Sequence, residues 1–128
     1  MKGRAVAPGH ASGPALVSRS PIGFYGGIDP RTGIVTERGH ELEGRSVSGV
    51  VLVFPRGKGS TVGSYVIYGL AAHGAAPLAL VNSETEPIVA TGAILAGIPC
   101  VDGVDISTIN DGDQLAVDGD LGEVRRVR

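Results

Sequence analysis

The chain has 128 residues, of which 42% are apolar and 19% charged, with a net charge of −2. This composition excludes a disordered chain and predicts a single domain over residues 1–128 that can bury a core without disulfides. The near-neutral charge excludes the basic surface of a nucleic-acid-binding protein, and without a run of about 20 apolar residues a membrane-spanning helix is not expected.

The only cysteine is Cys100, so an internal disulfide is impossible and a reducing compartment is expected. The first ten residues, MKGRAVAPGH, lack the apolar stretch of a secretion signal. Both features predict a cytoplasmic protein. Because Cys100 lies in an apolar strand segment, we expect it to be a small buried side chain and not a nucleophile.

Two short runs near the start of the chain have β-strand character: Lys2–Ala7 and Gly13–Val17. The intervening segment Pro8–Ser12 has the composition of a turn. Residues 22–43 are rich in Gly, Pro and Asp and show little periodicity. A compact domain rarely keeps so long an irregular segment without a role, so we expect a long functional loop that holds one short strand at most. This loop is also the first candidate for a partner interface.

The middle of the chain predicts a βαβ unit. Val50–Phe54 is a short, continuous apolar run, typical of a strand that is buried on both faces. A glycine-rich turn follows, and Ala79–Val81 is the next buried strand. Between them, apolar residues and one histidine recur at helical spacing and end at Gly74, a favourable C-terminal residue. These positions are Val62, Tyr65, Val66, Gly69, Leu70 and His73.

A second unit follows. Glu86–Ala96 predicts a helix that Gly97 ends, and Pro99–Val101 predicts a short strand. Leu115–Asp118 and Glu123–Val127 then form a hairpin. Strand-only ends around a βαβ middle predict an α/β domain with a central βαβ core and a separate β layer.

The turn after the first buried strand has the composition of an anion site. Its residues include Arg56, Lys58, Gly59, Ser60 and Thr61. Ligands gather at the carboxyl ends of strands in α/β sheets, and the N–H groups that begin a helix favour negative charge. Arginine and lysine add positive charge, and the two hydroxyls add hydrogen-bonding groups. We therefore expect a small anionic substrate here.

The same residues allow a purely structural interpretation. Serine is a common N-cap, so Ser60 could do no more than begin the helix. The spacing matches neither a Walker A loop nor a G-x-S-x-G nucleophile elbow. The local sequence leaves both interpretations open.

Longer segments resemble the small subunit, or swivelling domain, of the aconitase X family. They are KGRAVAPGHASGPAL, FYGGIDPRTG, HELEGRSVSGVVLVFPRGKGSTVGSYVIYGL and IVATGAILAGIPCVDG, which together cover nearly the whole chain. The resemblance implies the swivelling β/β/α fold that also forms the mobile domain of aconitase. It further implies a hydro-lyase whose larger subunit carries an iron–sulfur cluster on its own cysteines, while Ser60 of this chain accepts a proton.

The resemblance leaves the substrate open between two members of that family. One reaction is the dehydration of (R)-5-phosphomevalonate to trans-anhydromevalonate 5-phosphate in an archaeal mevalonate pathway, and the other is the dehydration of cis-3-hydroxyproline. Arg56 and Lys58 suit a substrate with both a carboxylate and a phosphate, and a separate small chain also favours phosphomevalonate. The expected partners are the large catalytic subunit and the small anionic substrate, with no nucleic acid and no membrane.

Four further residues are candidates for substrate binding. His10 and Ser12 lie in the predicted Pro8–Ser12 turn and would line the cleft, or else His10 is an exposed turn residue. Gly27 would let its loop approach the substrate or the partner. Asp29 would orient a side chain of the site, or else form an Asx-type turn before Pro30.

The two remaining histidines are expected to be structural. His40 lies among charged residues, so we expect it at the surface. His73 would interact with the carboxyl end of its helix. The C-terminal half also looks like the phosphohistidine domain of phosphoenolpyruvate-using enzymes. That function needs Thr-Ser before the histidine and alanines after it, but His73 follows Ala71-Ala72 and precedes Gly74.

Overall fold

The protein is described by a computed structural model over residues 1–127. Its elements, in chain order, are β1 (Arg4–Ala7), β2 (His10–Val17), β3 (Val51–Phe54), α1 (Gly63–Ala72), β4 (Ala79–Asn82), α2 (Pro87–Ala96), β5 (Cys100–Asp102), a 3₁₀ turn (Ile106–Thr108), β6 (Gln114–Asp118) and β7 (Glu123–Arg126). Within these residues the strands form one seven-stranded sheet in the order β1-β5-β4-β3-β2-β6-β7.

The centre of the sheet is parallel. Strand β3 pairs in parallel with β2 and β4, and β4 pairs in parallel with β5, whereas β1, β6 and β7 pair antiparallel. The order β3-α1-β4-α2-β5 therefore contains two successive βαβ units, which confirms the predicted core. Helices α1 and α2 pack closely, since a Cβ added to Gly92 would lie 2.7 Å from Cδ1 of Ile67.

Both faces of the central strands are buried, each in a separate apolar cluster. In β3, Leu52 and Phe54 belong to the cluster that includes the helix residues Ile67 and Leu70. The alternate residues of β3 point to the opposite face, because side chains alternate along a strand. There they pack with residues of β6 and β7. The β layer thus covers one face and the helices the other, and β2 joins the layers by pairing with both β3 and β6.

The predicted turn at Pro8–Ser12 is wrong in its extent. Strand β2 begins at His10, which pairs with Asp118 of β6, and only Pro8 and Gly9 form the turn. Gly9 has a φ of +124°, a conformation that suits glycine. The strand continues to His10 because β6 lies opposite it, and a pairing across about a hundred residues leaves no local sequence signal.

Residues 22–43 form the expected irregular loop, fastened by isolated bridges such as Ile28–Val35. The surface position predicted for His40 is wrong, because the residue is only 8% exposed. Its Nδ1 accepts a hydrogen bond from the Leu42 N–H at 3.0 Å, and its Nε2 lies 3.1 Å from the Pro21 carbonyl oxygen. The imidazole is buried because it satisfies backbone groups inside the loop.

The ends of both helices agree with the sequence. The ring Nδ1 of His73 lies 2.8 Å from the Gly69 carbonyl oxygen at the end of α1, and Gly74 follows with a φ of +68°. Gly97 ends α2 in the left-handed conformation. The described helices are all too short to cross a lipid bilayer.

Cys100 is fully buried in β5, as predicted. Its burial raises the pKa of the thiol to about 12. A thiol with so high a pKa is almost entirely protonated at neutral pH, and only the thiolate is an effective nucleophile or metal ligand. Cys100 therefore acts as a small apolar side chain of the core.

At the end of β5, the buried carboxylate of Asp102 pairs with the largely exposed guanidinium of Arg4, and the loss of this pair should be measurable. Asp102 accepts two hydrogen bonds from the Arg4 guanidinium, at 2.9 and 2.7 Å, and one from the Thr85 N–H at 2.9 Å. Burial opposes ionisation of this carboxyl, but these hydrogen bonds outweigh it and hold the pKa below 3.8. We expect Asp102→Asn to lower the free energy of unfolding at pH 7 by about 2 kcal/mol in urea denaturation.

The pH dependence of that loss follows from the lowered pKa. A carboxyl whose pKa is depressed in the folded state stabilises the fold above its unfolded pKa, and this contribution disappears as the pH falls through the folded value. The difference between wild type and Asp102→Asn should therefore shrink below pH 3.8. As a control, Glu123→Gln breaks the exposed Lys2–Glu123 pair and should cost less than about 1 kcal/mol. A difference that stayed constant down to pH 2 would contradict this assignment.

Candidate active site

The glycine-rich loop leaves the sheet at the carboxyl end of β3, and its first half is held by the loop at Ile22. The Ile22 N–H donates to the Arg56 carbonyl oxygen at 3.1 Å, and the Lys58 N–H donates to the Ile22 carbonyl oxygen at 3.0 Å. This pairing extends the parallel arrangement of the sheet by one step. The following residues, Gly59, Ser60 and Thr61, are exposed. The segment Gly59–Thr61 is therefore open to solvent, while the residues before it are held by hydrogen bonds to Ile22.

Ser60 precedes the helix but is not its N-cap residue. The N-cap of α1 is Val62, which makes no side-chain capping hydrogen bond. The Ser60 Oγ accepts a hydrogen bond from the Val62 N–H at 3.2 Å, and the Ser60 carbonyl oxygen accepts one from the Gly63 N–H at 3.0 Å. Ser60 thus lies two residues before the N-cap, but its Oγ makes the bond of a capping serine to the N–H two residues on, so the structural and the catalytic interpretations both stay open. Its hydroxyl is exposed and already faces one backbone donor.

Three consecutive backbone amides of this loop donate no hydrogen bond within the described residues. The N–H groups of Gly59, Ser60 and Thr61 have no acceptor within residues 1–127, and Gly59 has a φ of +93° that turns the chain at this point. Successive backbone N–H groups in such a turn form a concave donor surface for anions. The first N–H groups of α1, which the sequence predicted as anion donors, are already occupied. Those of residues 63–65 donate to the carbonyl oxygens of residues 60–62.

The positive charge of the loop is partly neutralised. The Lys58 ammonium lies 2.9 Å from Oε2 of Glu37, and both side chains are partly exposed. Arg56 is exposed and takes part in none of the ion pairs formed within the described residues. Arg56 is therefore the cation of this loop that has no acidic partner among residues 1–127. Glu37 was missed by the sequence analysis because it lies 21 residues away in an irregular loop.

Gly27 is buried in the packing that supports Lys58, and it is not part of the exposed surface of the loop. A Cβ added to Gly27 would lie 1.9 Å from the Gly23 carbonyl oxygen, and one added to Gly23 would contact the Lys58 side chain at 3.5 Å. Close stacking of two backbone segments under Lys58 thus requires glycine at residue 27. The expected approach of this loop to the substrate or the partner stays a prediction.

Asp29 forms the Asx-type turn that was the alternative interpretation. Its carboxylate accepts a hydrogen bond from the Arg31 N–H at 2.9 Å, and this bond lowers the pKa of Asp29. The following Pro30 packs against Gly69 in α1, where a Cβ would lie 3.2 Å from the proline ring. Asp29 is thus beside the second half of α1, and it makes no hydrogen bond to the loop of Ser60 among the described contacts.

The structure does not bring His10 and Ser12 together with Ser60. Val17 of β2 pairs with Val53 of β3, next to the loop, and His10 lies seven residues upstream in the same extended strand. Seven residues of extended strand span roughly 23 Å, which separates His10 from Val17. His10 and Ser12 instead border a separate cavity of about 420 Å³ beside β6 and β7. His10 and Ser12 therefore do not belong to the Ser60 loop, and their expected place in the substrate cleft stays a prediction.

The side chains of this chain do not fit an iron–sulfur cluster. Such clusters are held by several cysteine thiolates, and here the single cysteine is buried in the core. Among residues 1–127, one group of three His, Cys, Asp or Glu side chains could share a metal ion: His10, Asp118 and Asp120. His10 lies 2.8 Å from Asp120 and 3.5 Å from Asp118, far from Ser60.

Comparison with known proteins places this chain in a family. The chain is 56% identical over 125 residues to the phosphomevalonate dehydratase small subunit of Methanocella arvoryzae, with 95% of each chain covered. It is 55% identical over 124 residues to the protein of the same name from Thermococcus kodakarensis, covering 97% of this chain and 93% of the relative.

A solved structure and a family profile agree with those relatives. The crystal structure of Thermococcus kodakaraensis aconitase X in its holo-form superposes with a TM-score of 0.98 at 54% identity, covering 99% of this chain and 97% of that chain. The profile of the aconitase X swivel domain matches residues 1–126. The chain therefore belongs to the aconitase X swivel-domain family.

Proposed function

We propose that this chain is the small subunit of a two-subunit phosphomevalonate dehydratase. The enzyme is active only when the large subunit is bound, and it works in the cytoplasm. Eight relatives at 52–56% identity carry the name of that small subunit, which supports the assignment. The observation that carries it is the exposed Ser60 hydroxyl, which accepts a hydrogen bond from the Val62 N–H. The amides of Gly59, Ser60 and Thr61 have no acceptor in residues 1–127.

The reaction requires a base on one side of the substrate. Dehydration of (R)-5-phosphomevalonate breaks a C–H bond next to the carboxylate and the C–O bond of the neighbouring hydroxyl. The electron pair of the C–H bond forms the double bond of trans-anhydromevalonate 5-phosphate, and hydroxide leaves. We assign the proton to Oγ of Ser60. A base placed in this way typically contributes 10²- to 10⁴-fold to a rate.

A serine hydroxyl accepts a proton only when its alkoxide is stabilised. Hydrogen bonds to a charged form favour that form, and the Val62 N–H already points to Oγ of Ser60 at 3.2 Å. The Arg56 guanidinium adds positive charge in the same loop, since its charge is not neutralised within the described residues. Removal of water when the large subunit closes over the loop would strengthen both interactions.

The same loop would orient the substrate. Phosphomevalonate carries a carboxylate and a phosphate, and the free amides of Gly59, Ser60 and Thr61 can donate to either group. Arg56 can grip a carboxylate or a phosphate with two hydrogen bonds. The exposed Thr61 hydroxyl adds a further polar group. Lys58 contributes less, because Glu37 already holds its ammonium.

The large subunit supplies what this chain lacks. Among the described residues the loop has no acid directed at Ser60, because Glu37 is paired with Lys58 and Glu86 caps α2. An iron–sulfur cluster would have to be held by the large subunit, because this chain offers one buried cysteine. The group that assists the departing hydroxide therefore belongs to the partner.

Two alternatives have less support. A cis-3-hydroxyproline dehydratase would use the same base, but its substrate has an amine, and the loop presents Arg56 and free amides and no unpaired carboxylate. A phosphohistidine function would need a histidine free to move between sites. His73 is instead hydrogen-bonded to the Gly69 carbonyl oxygen at the end of α1.

The assignment is tested by reconstitution. The chain should be co-expressed with the cysteine-containing large subunit of the same organism and purified without oxygen. The complex is then incubated with (R)-5-phosphomevalonate or with cis-3-hydroxyproline, and the loss of water is followed by mass spectrometry. We expect phosphomevalonate alone to be dehydrated, and only when both subunits are present. Dehydration of hydroxyproline instead, or activity of this chain alone, would contradict the proposal.

A further inference from the structure

The two helices that cover the sheet have no charged residue. Helix α1 reads GSYVIYGLAA and α2 reads PIVATGAILA, although the whole chain has 24 charged residues among 128. A helix on the surface of a soluble protein normally has a polar outer stripe. One that is apolar on all sides is normally buried. The composition of α1 and α2 is therefore that of covered helices.

The outer faces of these helices are nevertheless exposed in the single chain. The large apolar side chains there are Tyr65 at 70% exposure, Tyr68 at 52%, and Ile94 and Leu95 at 56% each. Each helix has ten residues and is therefore about 15 Å long. Apolar side chains that lie together on one outer surface, without charges between them, mark an interaction site more often than solvent-facing structure.

This surface, formed by the outer faces of α1 and α2 and called here the helical face, begins beside the candidate active site. Gly63 lies against Ile88 and Gly92 lies against Ile67, so the helices run side by side in the same direction. Each follows a parallel strand, so both start at the edge of the sheet that carries Ser60. Val62, which is 42% exposed, and Tyr25, which adjoins Gly63, continue the apolar surface up to the loop.

We infer that the helical face is the principal docking surface for the large subunit. This inference rests on the proposed function, which requires a second chain to complete the site at Ser60. Helices α1 and α2 contribute no charged residue to this face, and both begin at the edge of the sheet that carries Ser60. An uncharged face of this kind matches the apolar interior of a stable interface better than a transient polar contact. A second copy seated there would bring only another buried cysteine to Ser60 and could not supply the cluster that the proposed function requires.

The test places a charge in the helical face, away from the active-site loop. Tyr68→Glu and Leu95→Glu are each measured for affinity to the purified large subunit by isothermal titration calorimetry. An uncompensated charge buried at an interface is strongly unfavourable, so we expect each variant to bind at least about 100-fold more weakly. Leu121→Glu is the matched control, since Leu121 is 64% exposed but lies in the turn between β6 and β7. It should bind like the wild type.

Each outcome decides for or against the helical face. Circular dichroism of the free variants should show the wild-type fold, because both altered side chains are more than half exposed. If Tyr68→Glu and Leu95→Glu bind as tightly as Leu121→Glu, the inference is wrong. It is also wrong if sedimentation shows that the two substitutions dissociate a homodimer of the free chain while binding to the large subunit stays unchanged. Since the readout is binding, it is independent of which substrate the complex dehydrates.

Discussion

Replacing Ser60 with alanine should lower kcat of the reconstituted dehydratase by about 10²- to 10⁴-fold, the range typical of a lost general base. The substitution removes the oxygen that accepts the substrate proton and leaves the loop amides in place. The affinity for the large subunit should therefore stay at the wild-type value, and KM should change little. Steady-state kinetics on complexes of verified 1:1 composition separate the loss of chemistry from a loss of assembly.

Ser64→Ala is the matched control for that experiment. Ser64 lies in the same segment, and its hydroxyl donates to the Thr61 carbonyl oxygen at 3.1 Å instead of accepting from a backbone amide. We expect kcat of the Ser64→Ala complex to stay close to that of the wild type. If Ser60→Ala kept wild-type kcat, Ser60 would be a structural residue and the proposed base would be wrong.

The second large effect concerns the packing beneath the site. Phe54 is the last residue of β3 and is completely buried. Its ring packs edge-to-face against Phe24, with the ring centroids 5.8 Å apart at 63°. Phe24 belongs to the loop that also holds the start of the glycine-rich segment through Ile22. Phe54→Ala should reduce the free energy of unfolding by about 3–5 kcal/mol, through lost burial and the cavity that is left.

Urea denaturation of the free chain measures this loss, with Tyr25→Ala as the control. Tyr25 is the aromatic neighbour of Phe24 but is 62% exposed, so its replacement should change the free energy of unfolding by less than about 0.5 kcal/mol. Phe54→Leu should recover most of the stability, because it restores much of the apolar volume. A Phe54→Ala variant as stable as Tyr25→Ala would show that the aromatic pair does not anchor the loop.

The regular elements could be predicted because their signals are local. Val51–Phe54 is apolar at every position, and the helices end at glycines with positive φ, so periodicity and turn chemistry suffice. The start of β2 at His10 and the burial of His40 could not be predicted. The first depends on pairing with β6, and the second on backbone groups of a folded loop. Neither partner is close in sequence or marked by a periodic pattern.

The candidate site was predictable only in part for the same reason. Ser60 and Arg56 lie within one short motif, and their position after a buried strand predicts an anion site. The neutralisation of Lys58 by Glu37 depends on how an irregular loop folds back on the sheet. The position of His10 at the far end of β2 from the Ser60 loop could not be predicted, because local sequence does not tell at which end of the sheet a residue will lie.

The central claim is that Ser60 accepts the substrate proton, and hydrogen isotope exchange tests it most directly. The complex is incubated with (R)-5-phosphomevalonate deuterated next to the carboxylate, in ordinary water, and the deuterium lost from substrate and product is followed by mass spectrometry. The carbon next to the carboxylate carries two hydrogens, and the wild-type complex should release one of the two deuterium atoms in each turnover, whereas an intact Ser60→Ala complex should release it at least about 100-fold more slowly. Equal loss of deuterium from both complexes would show that another group takes the proton.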